Sequence, residues 1–227
     1  MIALSFDQEI EATNNKYKKI MENDTIIKKI VVLDLETTGL PKMKGFNDYH
    51  PYSDTKMYDS ARIVQMSFGV YDTDGQELDF HDLIIKPNNF IIPQSSIKFH
   101  KITNEIANAT GIDLQDALCI LDKTLNKNVI KIVGHNIRFD INVLLSELHR
   151  KENNNMIHKI SQIKKICTMF GTKNIVQIIN YTGTSYKLPK MRELYYFLFK
   201  KVPIMQHNAK YDVIHTAQCY FELLKKW

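Results

Sequence analysis

Cysteine is scarce in this chain, and the three present (Cys119, Cys167 and Cys219) are widely spaced, odd in number and without a Cys-x-x-Cys pair. That argues against a disulfide framework or a cysteine zinc site and fits the reduced core thiols of an intracellular protein. Long apolar runs are missing too: none approaches the roughly 18 residues of a membrane span. Nor does the start resemble a secretory signal, because Asp7, Glu9 and Glu11 stand where a basic start and an apolar core would be. The expectation is a soluble protein kept inside a cell, in cytoplasm or nucleus, with no membrane partner. Charge is only mildly one-sided, at +5 with a pI near 8.9, which suits a polyanionic partner without requiring one. There is no internal repeat and no clear linker. With 227 residues, 44% of them hydrophobic, the chain fits one ample α/β domain with a sizeable core.

What the chain does have is concentrated in residues 29–40, Lys-Ile-Val-Val-Leu-Asp-Leu-Glu-Thr-Thr-Gly-Leu. The apolar run Ile30, Val31, Val32, Leu33 suits a strand covered on both faces, in the middle of a sheet. Side chains alternate along a strand, so Asp34 and Glu36 share one face while Leu35 points the other way. Two neighbouring carboxylates at the end of a buried strand repel each other and are costly to desolvate. A divalent cation between them relieves both costs. An acidic strand end fraying into solvent would do so as well, and the rest of the chain decides. Thr37 to Leu40 reads as a turn leading away from the strand.

Ahead of that strand, residues 1–28 are expected to be an N-terminal extension, with a helix over 5–22 carrying Ile10, Tyr17, Ile20 and Met21. Segment 41–61 scatters Pro41, Gly45, Phe46, Tyr49, His50, Pro51, Tyr52 and Tyr58 among Asn and Asp, and reads as a long loop, functional or disordered. Strands are expected over 63–72 and 77–86, paired as a hairpin through Thr73-Asp74-Gly75. Thr103 is placed to cap a helix. The spacing of Leu114, Ala117, Leu118, Leu121 and Leu125 predicts an amphipathic helix over 113–125. A buried strand follows at 129–133, then a helix over 137–150. Residues 151–163 are polar and Asn-rich and read as a surface connection, and 174–181 as helix or strand. Helices are expected over 190–200 and 209–225, with a loop at 202–208. A strand, a hairpin, then strands alternating with helices describe a mixed central β-sheet flanked by α-helices.

Asp140 stands at the start of the 137–150 helix, just after Asn136 and Phe139, and His207 and Asp212 bracket the start of the last helix. Strand ends and helix starts are where α/β folds assemble sites from distant sequence. Taken singly, Asp140 reads as an ordinary charge near a helix N-terminus and His207 as a surface histidine. In combination the chain resembles the DEDDh, or DnaQ-like, 3′–5′ exonucleases of ribonuclease H-like fold. The resemblance rests on Asp34-Leu35-Glu36-Thr37-Thr38-Gly39-Leu40, His135-Asn136-Ile137-Arg138-Phe139-Asp140 and His207-Asn208-Ala209-Lys210-Tyr211-Asp212. A weaker match is Phe99-His100-Lys101-Ile102-Thr103, where Lys101 replaces a small residue. The matched region runs from about residue 29 to 225, so the exonuclease domain is expected over 29–227.

The resemblance implies a metal-dependent phosphodiester hydrolase that releases nucleoside 5′-monophosphates from a 3′ end. Asp34, Glu36, Asp140 and Asp212 would hold two Mg²⁺ or Mn²⁺ ions. No positioned Ser or Cys nucleophile is evident, so water is the expected attacker, with His207 as general base. Thr38, Gly39, Leu40, Phe99, His100 and Phe139 would contact the terminal nucleotide, while Asn136 would organise the turn before Asp140; plain core packing is the other reading of Leu40, Phe99 and Phe139. His135 is not expected to act. Within 41–61, Tyr49, Tyr52 and Tyr58 with Lys42, Lys44 and Lys56 would border a single strand, or else belong to a mobile surface loop. The expected partner is single-stranded DNA with a free 3′ end, in proofreading or repair and alongside a polymerase or repair protein. RNA is the alternative substrate, and a module that only binds nucleic acid is the alternative of another class.

Overall fold

The computed structural model describes residues 27–126, 128–204 and 208–226; the helix expected over 5–22 lies outside them. Along the chain, β1 (Lys29–Thr37) is followed by a small hairpin of β2 (Met43–Gly45) and β3 (Asp48–Tyr49), then by β4 (Ile63–Tyr71) and β5 (Glu77–Ile84). Helices α1 (Gln94–His100), α2 (Asn104–Thr110) and α3 (Leu114–Thr124) lead to β6 (Val129–Gly134). Next come α4 (Ile137–Arg150), α5 (Asn154–Gln162), β7 (Lys164–Cys167) and two single turns, α6 (Thr168–Gly171) and α7 (Lys173–Val176). Helices α8 (Met191–Phe199) and α9 (Ala209–Lys226) complete the described chain, and none of its helices is long and apolar enough to cross a membrane.

The five-stranded sheet has the order β5-β4-β1-β6-β7. Central β1 pairs antiparallel with β4 and parallel with β6, as a strand apolar on both faces should. One face carries Val31, Leu33, Leu35, Met66, Phe68 and Ile132 against Leu118 and Leu121 of α3 and Leu144 and Leu148 of α4. The other carries Ile30, Val32, Tyr71 and Val133 against Val213, Ala217, Tyr220 and Phe221 of α9. Each fully buried side chain of this kind contributes about 1.5–3 kcal/mol. The hairpin after β4 turns as its sequence indicates. Asp72 Oδ1 accepts from the N–H groups of Asp74 and Gln76, and Gly75 has a φ of +93° with the Phe221 ring so close that a Cβ would lie 2.9 Å from it. Thr103 caps α2 by accepting from Ile106 N–H.

Three stretches differ from the sequence reading. Residues 151–163 are largely helical: the Asn153 side chain accepts from Met156 N–H, and α5 buries Met156 and Ile160, two anchors four residues apart in an otherwise polar stretch. Segment 41–61 is ordered by long-range contacts, not a bare loop. It holds the β2–β3 hairpin and a 3₁₀ turn (Thr55–Tyr58), and Arg150 donates to Thr55 O and, at 2.8 Å, to Asp59. Tyr58 is 1% exposed, with its hydroxyl on His50 O, so it packs in the core and borders no strand path. Residues 174–181 are neither one helix nor one strand, since α7 ends at Val176 and Ile179 makes an isolated bridge to Tyr186.

Candidate active site

The site arises where β1 outruns its neighbour. Pairing with β6 stops at Val32–Val133; β6 ends at Gly134, and the chain turns through Asn136, held at a left-handed φ of 73°, into α4. The N–H of Leu35, on the edge that β6 has left, would have no strand partner. Asp140, in the first turn of α4 and 3% exposed, accepts it through Oδ1 at 3.1 Å. Asp34 and Glu36 point to the opposite face, towards α9, whose first turn supplies Asp212. Oxygens of Asp34, Glu36 and Asp212 lie within 4.8 Å of one another.

Such crowding is expensive without a counter-charge. Burial raises the Asp34 carboxyl well above the usual range, and Asp140, Asp212 and Glu36 raise it further. Glu36 is pushed up to about 8 by burial, then by Asp212 and Asp140. Asp140 rises to about 7, again chiefly by burial, although the N–H of Leu35 and its own N–H hold it down. Left to the protein alone, the cluster would retain protons at neutral pH. Four carboxylates short of positive charge, with Asp34 and Glu36 still partly open to solvent, fit a hard divalent cation, which takes carboxylate oxygens.

Beside Glu36 opens a groove of about 330 Å³ lined by Thr38, Gly39, Leu40, Phe99, His100 and Phe139, so six of the seven expected substrate contacts surround one space; Asn136 does not line it. Leu40 is 68% and Phe99 61% exposed, which removes plain core packing as their explanation, whereas Phe139 packs partly against the core. The turn forming one wall is braced. Thr38 Oγ1 donates to Ser60 O and accepts from Arg62 N–H, Ser60 donates to Leu40 O, and a Cβ on Gly39 would stand 3.0 Å from Ser60 O. The Thr38 hydroxyl is thereby committed to the turn. His100 is buried; its Nδ1 accepts from Ile102 N–H at 3.0 Å, which leaves the hydrogen on Nε2 in the neutral ring. Nε2 has no hydrogen-bond partner among the described residues, and burial lowers the pKa of the ring.

A family model described as Exonuclease (RNase_T) matches residues 31–220. The chain belongs to this exonuclease family. No curated protein sequence matches it. Solved structures share the fold: E. coli exonuclease I with a dA16 oligonucleotide (16% identity, TM-score 0.62, covering 87% of this chain and 41% of that one) is one. The zinc-bound E. coli exonuclease I–single-stranded DNA complex is a second, at 17% identity and TM-score 0.64, covering 88% and 41%. Exonuclease I from Methylocaldum szegediense is a third, at 14% and 0.58, again covering 88% and 41%. The chain therefore spans about two-fifths of the length of these proteins.

The carboxylate cluster is also supported by residues that the sequence did not single out. On β4, Gln65 lies opposite Glu36 and Ser67 opposite Asp34, on the same face of the sheet. Gln65 is 2% exposed; its Nε2 donates to Asp82 Oδ1 at 2.7 Å and its Oε1 accepts from Ala209 N–H at 3.3 Å. Ser67 donates to the same Asp82 oxygen. This chain of bonds satisfies an otherwise orphan N–H of the first turn of α9 and fixes the helix that brings Asp212 to Glu36. Two polar residues at i and i+2 in the otherwise apolar Ile63–Tyr71 strand were the available signal. Across the site, Arg62 pairs with Glu147 of α4 through two nitrogens, at 2.5 and 3.2 Å, and ties the start of β4 to the helix of Asp140.

His135 is structural. Its Nε2 faces Pro189 O at 3.1 Å and must donate there, so Nδ1 accepts from Thr168; burial lowers its pKa to about 4 and keeps the ring neutral. Asn136 sets the turn through its left-handed backbone, and its O accepts from Phe139 N–H. His207 lies outside the described residues.

Proposed function

We propose that the chain is a metal-dependent 3′–5′ exonuclease that releases nucleoside 5′-monophosphates from single-stranded DNA, in a proofreading or repair setting. One observation carries the reading: Asp34, Glu36, Asp140 and Asp212 converge from three elements beside a groove whose rim exposes Leu40 and Phe99. That groove suits an unstacked terminal nucleotide, because an apolar rim accepts any base face. His100 lines it too, and its buried Nε2–H has no hydrogen-bond partner among the described residues.

The four carboxylates would hold two Mg²⁺ or Mn²⁺ ions, which when bound polarise the phosphoryl oxygens and offset developing charge. Water's oxygen forms the new bond to phosphorus, and the bond to the 3′ oxygen of the preceding nucleotide breaks. His207, five residues before Asp212 in the sequence, is assigned the water proton, and a histidine's ordinary pKa near 6.5 matches that task. Support for DNA comes from the exonuclease I structures, which were solved with DNA oligonucleotides.

The test is digestion of 5′-labelled single-stranded DNA and RNA of one sequence with Mg²⁺, comparing the natural chain with Asp34→Ala and His207→Ala. A descending ladder on DNA that both substitutions abolish is the expected result. Shortening of RNA alone would transfer the assignment to an exoribonuclease, and binding without shortening of either would defeat the hydrolase reading.

A further inference from the structure

A second and larger cleft, about 1110 Å³, opens from Asp34 and Asp212 and runs along α8. It is distinct from the nucleotide groove beside Glu36, and the two share no lining residue. Met169, Val176 and Ile178 contribute apolar lining, while α8 and its flanks contribute Lys190, Arg192, Tyr196 and Lys200.

Arg192 and Tyr196 stand four residues apart on one side of α8, and Lys200 follows as its left-handed C-cap, with Nζ donating to Phe197 O at 3.1 Å. From Arg192 to the end of α8 the helix advances about 10 Å, the reach of a few nucleotides. All three are exposed, with Tyr196 at 54%. The acid on the same wall is already neutralised, since Glu193 pairs with Lys187 and accepts from Lys190 N–H. The other acids lining the cleft, Asp34 and Asp212, belong to the carboxylate cluster. Apart from that cluster and the paired Glu193, the charged side chains of the cleft are cations, with Tyr196 between Arg192 and Lys200 in the sequence. A polyanion carrying flat rings is the ligand that matches it.

We propose that this cleft receives the strand on the 5′ side of the bond to be cut, with Arg192, Lys190 and Lys200 on its phosphates and Tyr196 against a base. The inference rests on the exonuclease reading and deepens it: the enzyme would prefer strands of several nucleotides over dinucleotides.

Fluorescence anisotropy with 5′-labelled single-stranded DNA of two and of twelve nucleotides, without divalent metal so that nothing is cut, tests the proposal whether or not the chain proves to be an exonuclease. Arg192→Gln/Lys200→Gln should weaken binding of the 12-mer about tenfold, with little change for the dinucleotide, and Tyr196→Leu should weaken it severalfold. The slope of log affinity against log salt should flatten by about 1.4 in the double variant, at about 0.7 per lost phosphate contact. Equal affinity and slope in the variants, or the same loss on both lengths, would overturn the assignment. A failed digestion ladder, by contrast, would leave these binding results standing and count against the hydrolase reading alone.

Discussion

Glu36→Gln gives a sharp test of the charge argument, read through stability. A carboxyl whose pKa is higher in the fold than in the unfolded chain stabilises the fold below its unfolded pKa, and loses that contribution as pH rises through the folded value. For Glu36 the window runs from 4.5 to about 8, and for Asp140 from 3.8 to about 7. His135 titrates in the opposite sense: its pKa is lowered from 6.5 to about 4, so its contribution grows as pH rises and is complete above about 6.5. Between pH 6.5 and 8.5 the carboxyls therefore act alone. Integrating the proton difference over that interval gives a loss of about 2 kcal/mol from Glu36 and about 1 kcal/mol from Asp140, to which Asp34, raised in the same sense, adds. For a chain of this length Glu36 and Asp140 alone correspond to a fall in Tm of about 6–12 °C. The assay is thermal unfolding by circular dichroism in EDTA across this range. Glu36→Gln should reduce the decline by about 4–8 °C, and saturating Mg²⁺ or Mn²⁺ should flatten it in the natural chain. A flat or rising Tm in EDTA, or an unchanged decline in Glu36→Gln, would refute the reasoning.

Asp140→Asn keeps an oxygen for Leu35 N–H but removes a charge; the digestion rate should fall about a hundredfold or more, while Tm in EDTA at pH 8 rises by about 3–8 °C. A rate within a few-fold of the natural chain would remove Asp140 from the metal-holding set. Gln65→Met breaks the bonds to Asp82 and to Ala209 N–H, at a cost of about 1–3 kcal/mol in urea unfolding. Half-activation should then need about ten times more Mg²⁺; unchanged Mg²⁺ dependence would reduce Gln65 to a fold contact. Arg62→Met strands the buried Glu147, with Arg150 Nε 4.0 Å away as partial compensation, so urea unfolding should show a loss of about 2–4 kcal/mol; a loss under 1 kcal/mol would show the pair to be dispensable.

Legibility in the sequence followed the range of the interactions. Alternation along Ile30 to Glu36 is local chemistry, and it placed the two acids on one face before any partner strand was known. The hairpin at Asp74-Gly75 and the cap at Thr103 were equally local. Segment 41–61 misled because its order comes from α4, where Arg150 reaches back to Thr55 and Asp59, a partnership without a periodic trace. Helix α5 was missed because only Met156 and Ile160 are buried in it, too few anchors to stand out among asparagines. Gln65 became meaningful only through the β1–β4 register and the docking of α9, both products of the tertiary fold. The choice between core packing and groove lining for Leu40 and Phe99 likewise needed their exposure, which no pattern of residues gives.

The early end of β6 has a consequence for how the molecule holds itself together. Because β1 projects past it, Asp140 reaches the strand from the layer of α3 and α4, while Asp212 reaches it from the layer of α9. The sheet is thus open at the one place where both helical layers can place charge against a single strand. Whatever balances that charge acts as a rivet through the sheet, joining a helix of one layer to a helix of the other. Loading the site would then brace the two layers at one point, beside the start of α9 that Gln65 already holds through Ala209 N–H.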